Sequence, residues 1–286
     1  MGFGAERRAV ESIVACVSVL PRLLAVLVAV TVAGTTLPAL TATSVADSTG
    51  STPAVQAGTA RAAAKPLHGL VIALDPGHQL GNSRHPREIN RPVQAGGFTK
   101  PCNSTGAATN SGVPEATVNF RLSQAVKRRL EALGARVRMT RVTNSVTRWG
   151  PCVDARGRFG ARVGARLMVS LHADGAPSSD HGFHVIAPKR RKPWTTDIAT
   201  ASLRLAKVLR TSLTRGGVPR SNYIGGGSGL DVRSDLGTLN MSDVPVAMIE
   251  IGNMRNATDA RRMTSTQGRA RYAAAVVRGI RTYLRR

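Results

Sequence analysis

Apolar side chains along this chain gather into two kinds of pattern. Short unbroken runs at 70–74 (LVIAL), 167–171 (LMVSL) and 246–251 (VAMIEI) do not alternate with polar residues. That is the signature of strands buried on both faces. Elsewhere the apolar positions recur at helical spacing. Over 114–134, Val118, Leu122, Ala125, Val126, Leu130 and Leu133 share one face. Pro114 and Glu115 suit the first turn of that helix and Gly134 its C-terminal cap. Further strands are predicted at 137–140 and 183–187, and helices over 153–164, 198–213 and 270–284. Strands alternating with helices predict a single α/β domain with a mostly parallel central sheet, flanked by helices on both faces. In such sheets ligands collect at the carboxyl ends of strands.

The amino-terminal pattern is different. Arg7, Arg8 and Arg22 accompany an apolar run at 23–34, and Ser44-Val45-Ala46 fits a small-x-small cleavage site. A secretory signal over 1–46 is expected, with the protein secreted to the periplasm or cell wall. The run is shorter than the roughly 20 apolar residues of a span, so no stable membrane span is expected after cleavage. Residues 47–66, rich in Ala, Ser, Thr and Gly, cannot bury enough surface to offset their ordering entropy and read as a linker. The folded domain is then 67–286.

Export changes the reading of cysteine and charge. With Cys16 in the signal, Cys102 and Cys152 remain, and a disulfide between them is expected in an oxidising compartment. The formal charge is +24, which favours an anionic polymer as partner. A preference for Arg over Lys reflects codon bias as readily as function, but the net charge stands either way. Nucleic acid is not the expected partner, because the chain is exported and only 3% aromatic, without stacking platforms for bases.

A hydrolytic zinc centre needs three protein ligands and an open position, with a non-ligating base nearby. His78 follows the first strand in Asp75-Pro76-Gly77-His78, Glu115 opens a helix, and His172 follows the third strand in Ser170-Leu171-His172-Ala173-Asp174. Glu250 lies in an apolar strand, where an unpaired carboxylate is costly unless function holds it there.

These stretches read ALDPGH, PEATVNFRL, VSLHAD and VAMIEIGNMRN, in that order. Together they resemble the zinc-dependent N-acetylmuramoyl-L-alanine amidases of bacterial peptidoglycan. The resemblance runs over 70–284 and takes in Thr140-Arg141, the Arg-Ser-Asp-Leu stretch at 233–236, and Gly279-Ile280. It implies that His78, Glu115 and His172 bind one Zn2+ per chain and that Glu250 is the catalytic base. The implied reaction is hydrolysis of the amide between the lactyl group of N-acetylmuramic acid and L-alanine, in peptidoglycan or muropeptide fragments. A zinc peptidase acting on stem peptides, or a non-catalytic wall-binding protein on the same fold, are the alternatives. A monomer is expected.

Two departures from the family pattern are evident. Gln79 stands where Gly is usual, and Asn253-Met254-Arg255-Asn256 replaces a Phe-Leu-Ser-Asn type of ending. No inserted helical plug is expected between His184 and Glu250. The resemblance gives no role to His181 or His184, and His68 and His85 are given no chemistry.

Overall fold

The unbroken apolar runs form the centre of a six-stranded sheet in the computed structural model, which describes residues 64–286. The signal segment expected over 1–46, and nearly all of the expected linker, lie outside the described residues. Among the described residues no helix is long and apolar enough to cross a membrane. β1 (Val71–Pro76) lies between β4 (Arg136–Met139) and β5 (Met168–Asp174). Beyond β5 come β8 (Val246–Asn253), β6 (His184–Pro188) and the edge strand β7 (Leu230–Arg233). The first four of these strands are parallel, β6 runs antiparallel to β8, and β7 is parallel to β6.

The two faces of the sheet are covered unequally. Helices α2 (Glu115–Ala132), α5 (Ala199–Arg215) and α8 (Thr266–Leu284) build the larger core against Ile72, Leu74, Val169, Leu171, Ala247 and Ile249. The other face buries Ala73, Met168, Ile186 and Met248 under α4 (Phe159–Arg162) and α6 (Gly237–Asn240). Side chains alternate faces along a strand. On the thinner face, the positions that follow these apolar residues at the upper edge of the sheet are Asp75, Ser170, His172, His184 and Glu250. The polar residues inside apolar runs therefore share one face and one edge.

The chain order makes that edge a crevice. From β1 the chain crosses by α2 to β4 on one side, then returns by α3 (Val153–Gly157) and α4 to β5 on the other. With the two crossovers on opposite faces, the carboxyl ends of β1 and β5 splay apart at a topological switch point.

Several local features differ from the sequence expectation. The helix expected over 153–164 breaks at Arg158 into α3 and α4. Gly157 and Gly160 weaken a continuous helix, and each packs closely: a Cβ would lie 2.6 Å from the Met241 side chain or 2.5 Å from Val244. The polar stretch after His78 holds α1 (Pro86–Asn90) and a hairpin of β2 (Pro92–Gln94) with β3 (Thr99–Pro101), too short for an apolar pattern to reveal. β5 continues to Asp174, so His172 lies within the strand rather than after it. α7 (Ala257–Thr264), unseen in the pattern, is capped by the Asn256 side chain, which accepts from the amides of Thr258 and Asp259. Cys102 and Cys152 form a disulfide that ties the hairpin to the start of α3.

Candidate metal centre

The turn after β1 carries the first candidate ligand. His78 has φ +58°, a left-handed conformation costly for a residue with a Cβ. Two buried guanidinium groups hold it there. Arg156 donates to the carbonyl oxygens of Pro76 (2.8 Å) and His78 (2.7 Å), and Arg141 to those of Pro76 (3.0 Å) and Gly77 (3.1 Å). Gly77 is required by space as well, because a Cβ there would lie 2.3 Å from the His172 imidazole.

Arg156 is itself neutralised by Asp75, whose buried carboxylate also accepts from Thr140 Oγ1 (2.6 Å) and Ser170 Oγ (2.7 Å). Burial alone would raise the Asp75 carboxyl, but Arg156 and these hydrogen bonds outweigh it and hold it below its ordinary value. Asp75 in the Asp-Pro-Gly-His turn is thus the hub of a buried ion pair beneath the site.

Glu115 joins the two histidines. It sits in the first turn of α2, where the helix dipole favours a carboxylate. Its Oε2 faces His78 Nε2 at 3.1 Å and accepts from the Ala107 amide at 2.9 Å. Its Oε1 faces His172 Nδ1 at 3.1 Å and accepts from the Ala173 amide and Asn119 Nδ2, both at 3.0 Å. Burial opposes the charge, but the two imidazoles, through their charge and their hydrogen bonds, keep Glu115 well below the usual carboxylate range. Gly106 lies against this pair with φ +79°, and a Cβ there would be 2.6 Å from Oε2. The backbone carbonyl of Ser104 faces His78 Nδ1 at 3.0 Å, which orients the ring.

One ligand atom from each of His78, Glu115 and His172 lies within 4.8 Å of the others. A tetrahedral ion holds ligands about 2.0–2.2 Å away and roughly 3.3–3.6 Å apart; the group is gathered to within 4.8 Å, and its donor set of two imidazoles and a carboxylate fits zinc.

Glu250 lies beside this group. On β8 it is in register with His172 of β5 on one side and His184 of β6 on the other. It is half-buried and lines a cleft of about 930 Å3 that also exposes His78, Glu115 and His172. Burial, with the negative charges of Glu115 and Asp174, pushes its carboxyl well above the usual range. Among the described residues its carboxylate has no hydrogen-bond partner, which leaves both oxygens available to a bound molecule.

The structure brings together His78, Glu115, His172 and Glu250, and the disulfide lies near the same cleft through Asn103 and Ser104. His181 is exposed. His184 is buried in the sheet, with burial holding its imidazole below the ordinary value. Gln79 braces the turn rather than the cleft, accepting from the amides of Leu80 (3.1 Å) and Ser145 (3.2 Å). Asn253 likewise ties loops together, donating to the carbonyls of Pro177 and Asp180. Arg255, from the same departing segment, reaches the cleft wall. The supporting role of Arg156 was not evident in the sequence, where it was one of several Arg residues in a helical stretch.

Comparison with known proteins gives a consistent answer. The family model for N-acetylmuramoyl-L-alanine amidases matches residues 72–282. An N-acetylmuramoyl-L-alanine amidase of Mycobacterium tuberculosis is 40% identical over 221 residues, covering 76% of this chain and 88% of that protein. The crystal structure of the amidase Ami1 from Mycobacterium smegmatis has 38% identity and a TM-score of 0.71, over 76% of this chain and 98% of that one. The apo form of Ami1 from Mycobacterium abscessus has 40% identity and the same TM-score, over 76% of this chain and all of that one.

Proposed function

This chain belongs to the N-acetylmuramoyl-L-alanine amidase family, and on that premise we propose that it is an exported zinc hydrolase. Its substrate is the amide between the lactyl group of N-acetylmuramic acid and L-alanine. The carrying observation is the convergence of His78, Glu115 and His172 within 4.8 Å beside the unpartnered carboxylate of Glu250.

His78, Glu115 and His172 hold one zinc ion in this reading. When bound, zinc supplies Lewis acidity toward a carbonyl oxygen and lowers the pKa of water. The chain's own residues supply the rest. Glu115 is fixed by two backbone amides and Asn119, so the ligand set is oriented before any substrate arrives. Glu250 removes a proton from the attacking water as its oxygen bonds to the lactyl carbonyl carbon. It then delivers that proton to the alanine nitrogen as the C–N bond breaks, leaving a free amine and a lactyl carboxylic acid that loses its remaining proton to solvent. With no partner on either oxygen among the described residues and a place on the cleft wall, the Glu250 carboxylate is free to take and return that proton. A signal over 1–46 and a linker over 47–66 would deliver the domain to the periplasm or cell wall, where the disulfide is stable.

Glu250→Gln should retain stoichiometric zinc and lose about 10²–10⁴-fold in turnover. His78→Ala should lose both. Mass spectrometry of digested muropeptides reads the bond cut: intact stem peptides with a new L-alanine amine, absent after chelation. Cleavage within stem peptides, or near-normal turnover of Glu250→Gln, would refute the assignment.

A further inference from the structure

The large positive charge is not concentrated at the cleft. There Lys100, Arg156 and Arg255 meet Glu115, Asp174 and Glu250, and Arg156 is already paired with Asp75. Part of the excess lies instead on the outer surface of α5 and α8. These helices pack side by side: Ser212 Oγ donates to the Ala275 carbonyl at 2.7 Å, and a Cβ on Gly279 would lie 2.8 Å from the Leu209 side chain. Together they carry eight Arg or Lys residues and no Asp or Glu.

The cations follow a line. Arg204, Lys207 and Arg215 are exposed on one stripe of α5, its ends 11 positions or about 16 Å of helix apart. With Arg278 of α8 they line a hollow of about 290 Å3 between the helices. Arg204 also borders a second hollow of about 380 Å3 with Arg166, Tyr283 and Arg285. No acidic residue lines either hollow. The Arg204 guanidinium is held in place, 3.9 Å above the Tyr283 ring and donating to its carbonyl at 3.2 Å.

The second hollow sits at the amino ends of the central strands, since Arg166 precedes β5 and Pro245 immediately precedes β8. Glu250 is five residues further along β8, about 17 Å away. A polymer on this track leaves the cleft open.

We propose that the groove between α5 and α8 is a docking track for a linear phosphodiester polymer attached to the wall glycan, holding the enzyme on its substrate. This rests on the peptidoglycan reading above. A line of cations in a concave groove complements a strand with charge repeated along its length, whereas a bilayer would meet the face as a plane. A phosphodiester stays ionised across the pH range of the cell envelope and gives each guanidinium fork two oxygens. Stem-peptide carboxylates fit less well, because the enzyme's own reaction would release them from the glycan.

The test measures co-sedimentation of the full chain with purified walls bearing such polymers, and with the same walls stripped by cold hydrofluoric acid. Native walls should retain the wild type at least about tenfold better than stripped walls, a difference of roughly 1.4 kcal/mol in binding. K207E/R215E/R278E on native walls should fall to the stripped level, while hydrolysing soluble muropeptide as the wild type does. Equal retention on stripped walls, full retention of the triple variant, or stronger capture by phosphatidylglycerol vesicles through the same three residues would overturn the proposal. Failure of the wild type to cut soluble muropeptide would instead count against the amidase assignment, with the binding readout intact.

Discussion

Arg156→Met tests whether the buried ion pair beneath the site holds the site together. The substitution leaves an apolar side chain of similar length and strands Asp75 as an uncompensated buried carboxylate. Removing one partner of a buried pair costs about 3–5 kcal/mol. The hydrogen bonds lost to the carbonyls of Pro76, His78, Gly150 and Pro151 add to the effect. Domains are stable by only about 5–15 kcal/mol, so a large share of the total is at stake. At about 2–4 °C per kcal/mol for a domain of this size, Tm should fall by roughly 6–20 °C. Zinc affinity should fall too, by about 10–100-fold, because the His78 carbonyl loses its anchor and the ring its fixed backbone. Urea denaturation gives the stability change, and chelator competition on the folded fraction gives the metal affinity. Adding Asp75→Asn should recover part of the lost stability by removing the stranded charge. A loss below about 1 kcal/mol, or a double variant no better than Arg156→Met, would refute the ion-pair account.

Acid should destabilise the protein through Asp75. Its folded-state pKa lies below the ordinary 3.8, so the contribution is present above that value and is lost as pH falls through the folded pKa; urea midpoints measured from pH 6 down to pH 2.5 read it. Replacing Cys102 and Cys152 together with Ala should cost at most about 4 kcal/mol by the chain-entropy estimate for a separation of 50 residues. Thiol titration of denatured, unreduced protein should find neither of these cysteines free. Gly77→Ala should drive a methyl group into the His172 ring and abolish zinc binding while leaving the far-UV spectrum intact; full zinc occupancy would contradict that packing.

The candidate site was legible to the extent that its chemistry is local. His78 and His172 stand at the ends of apolar runs, Glu115 at a helix start, and Glu250 as a carboxylate inside a strand. Each is conspicuous against its own neighbours in the chain. Arg156 and Ser170 were not, because an Arg among many Arg residues and a Ser in a strand look ordinary until their partner is known. Their significance depends on Asp75, at separations of 81 and 95 residues. The small elements escaped for another reason. β2 and β3, at three residues each, are too short to show a period, and α7 depends on the Asn256 cap rather than on an apolar stripe.

The sequence by itself determined the α/β class, the long elements and the residues able to bind metal, because buried strands, amphipathic helices and ligand types leave local signatures. The tertiary structure alone decided that four separated segments meet at one edge. Strand order placed β5 beside β1 and β8 beside β5, and the two-residue period of the strands turned His172 and Glu250 to the same face. It also decided how the His78 turn is held, since the guanidinium groups that hold it reach across from segments more than 60 residues away. Such contacts arise only when the folded core excludes water, where an unpaired charge is costly and a buried Arg must find both a carboxylate and carbonyl oxygens.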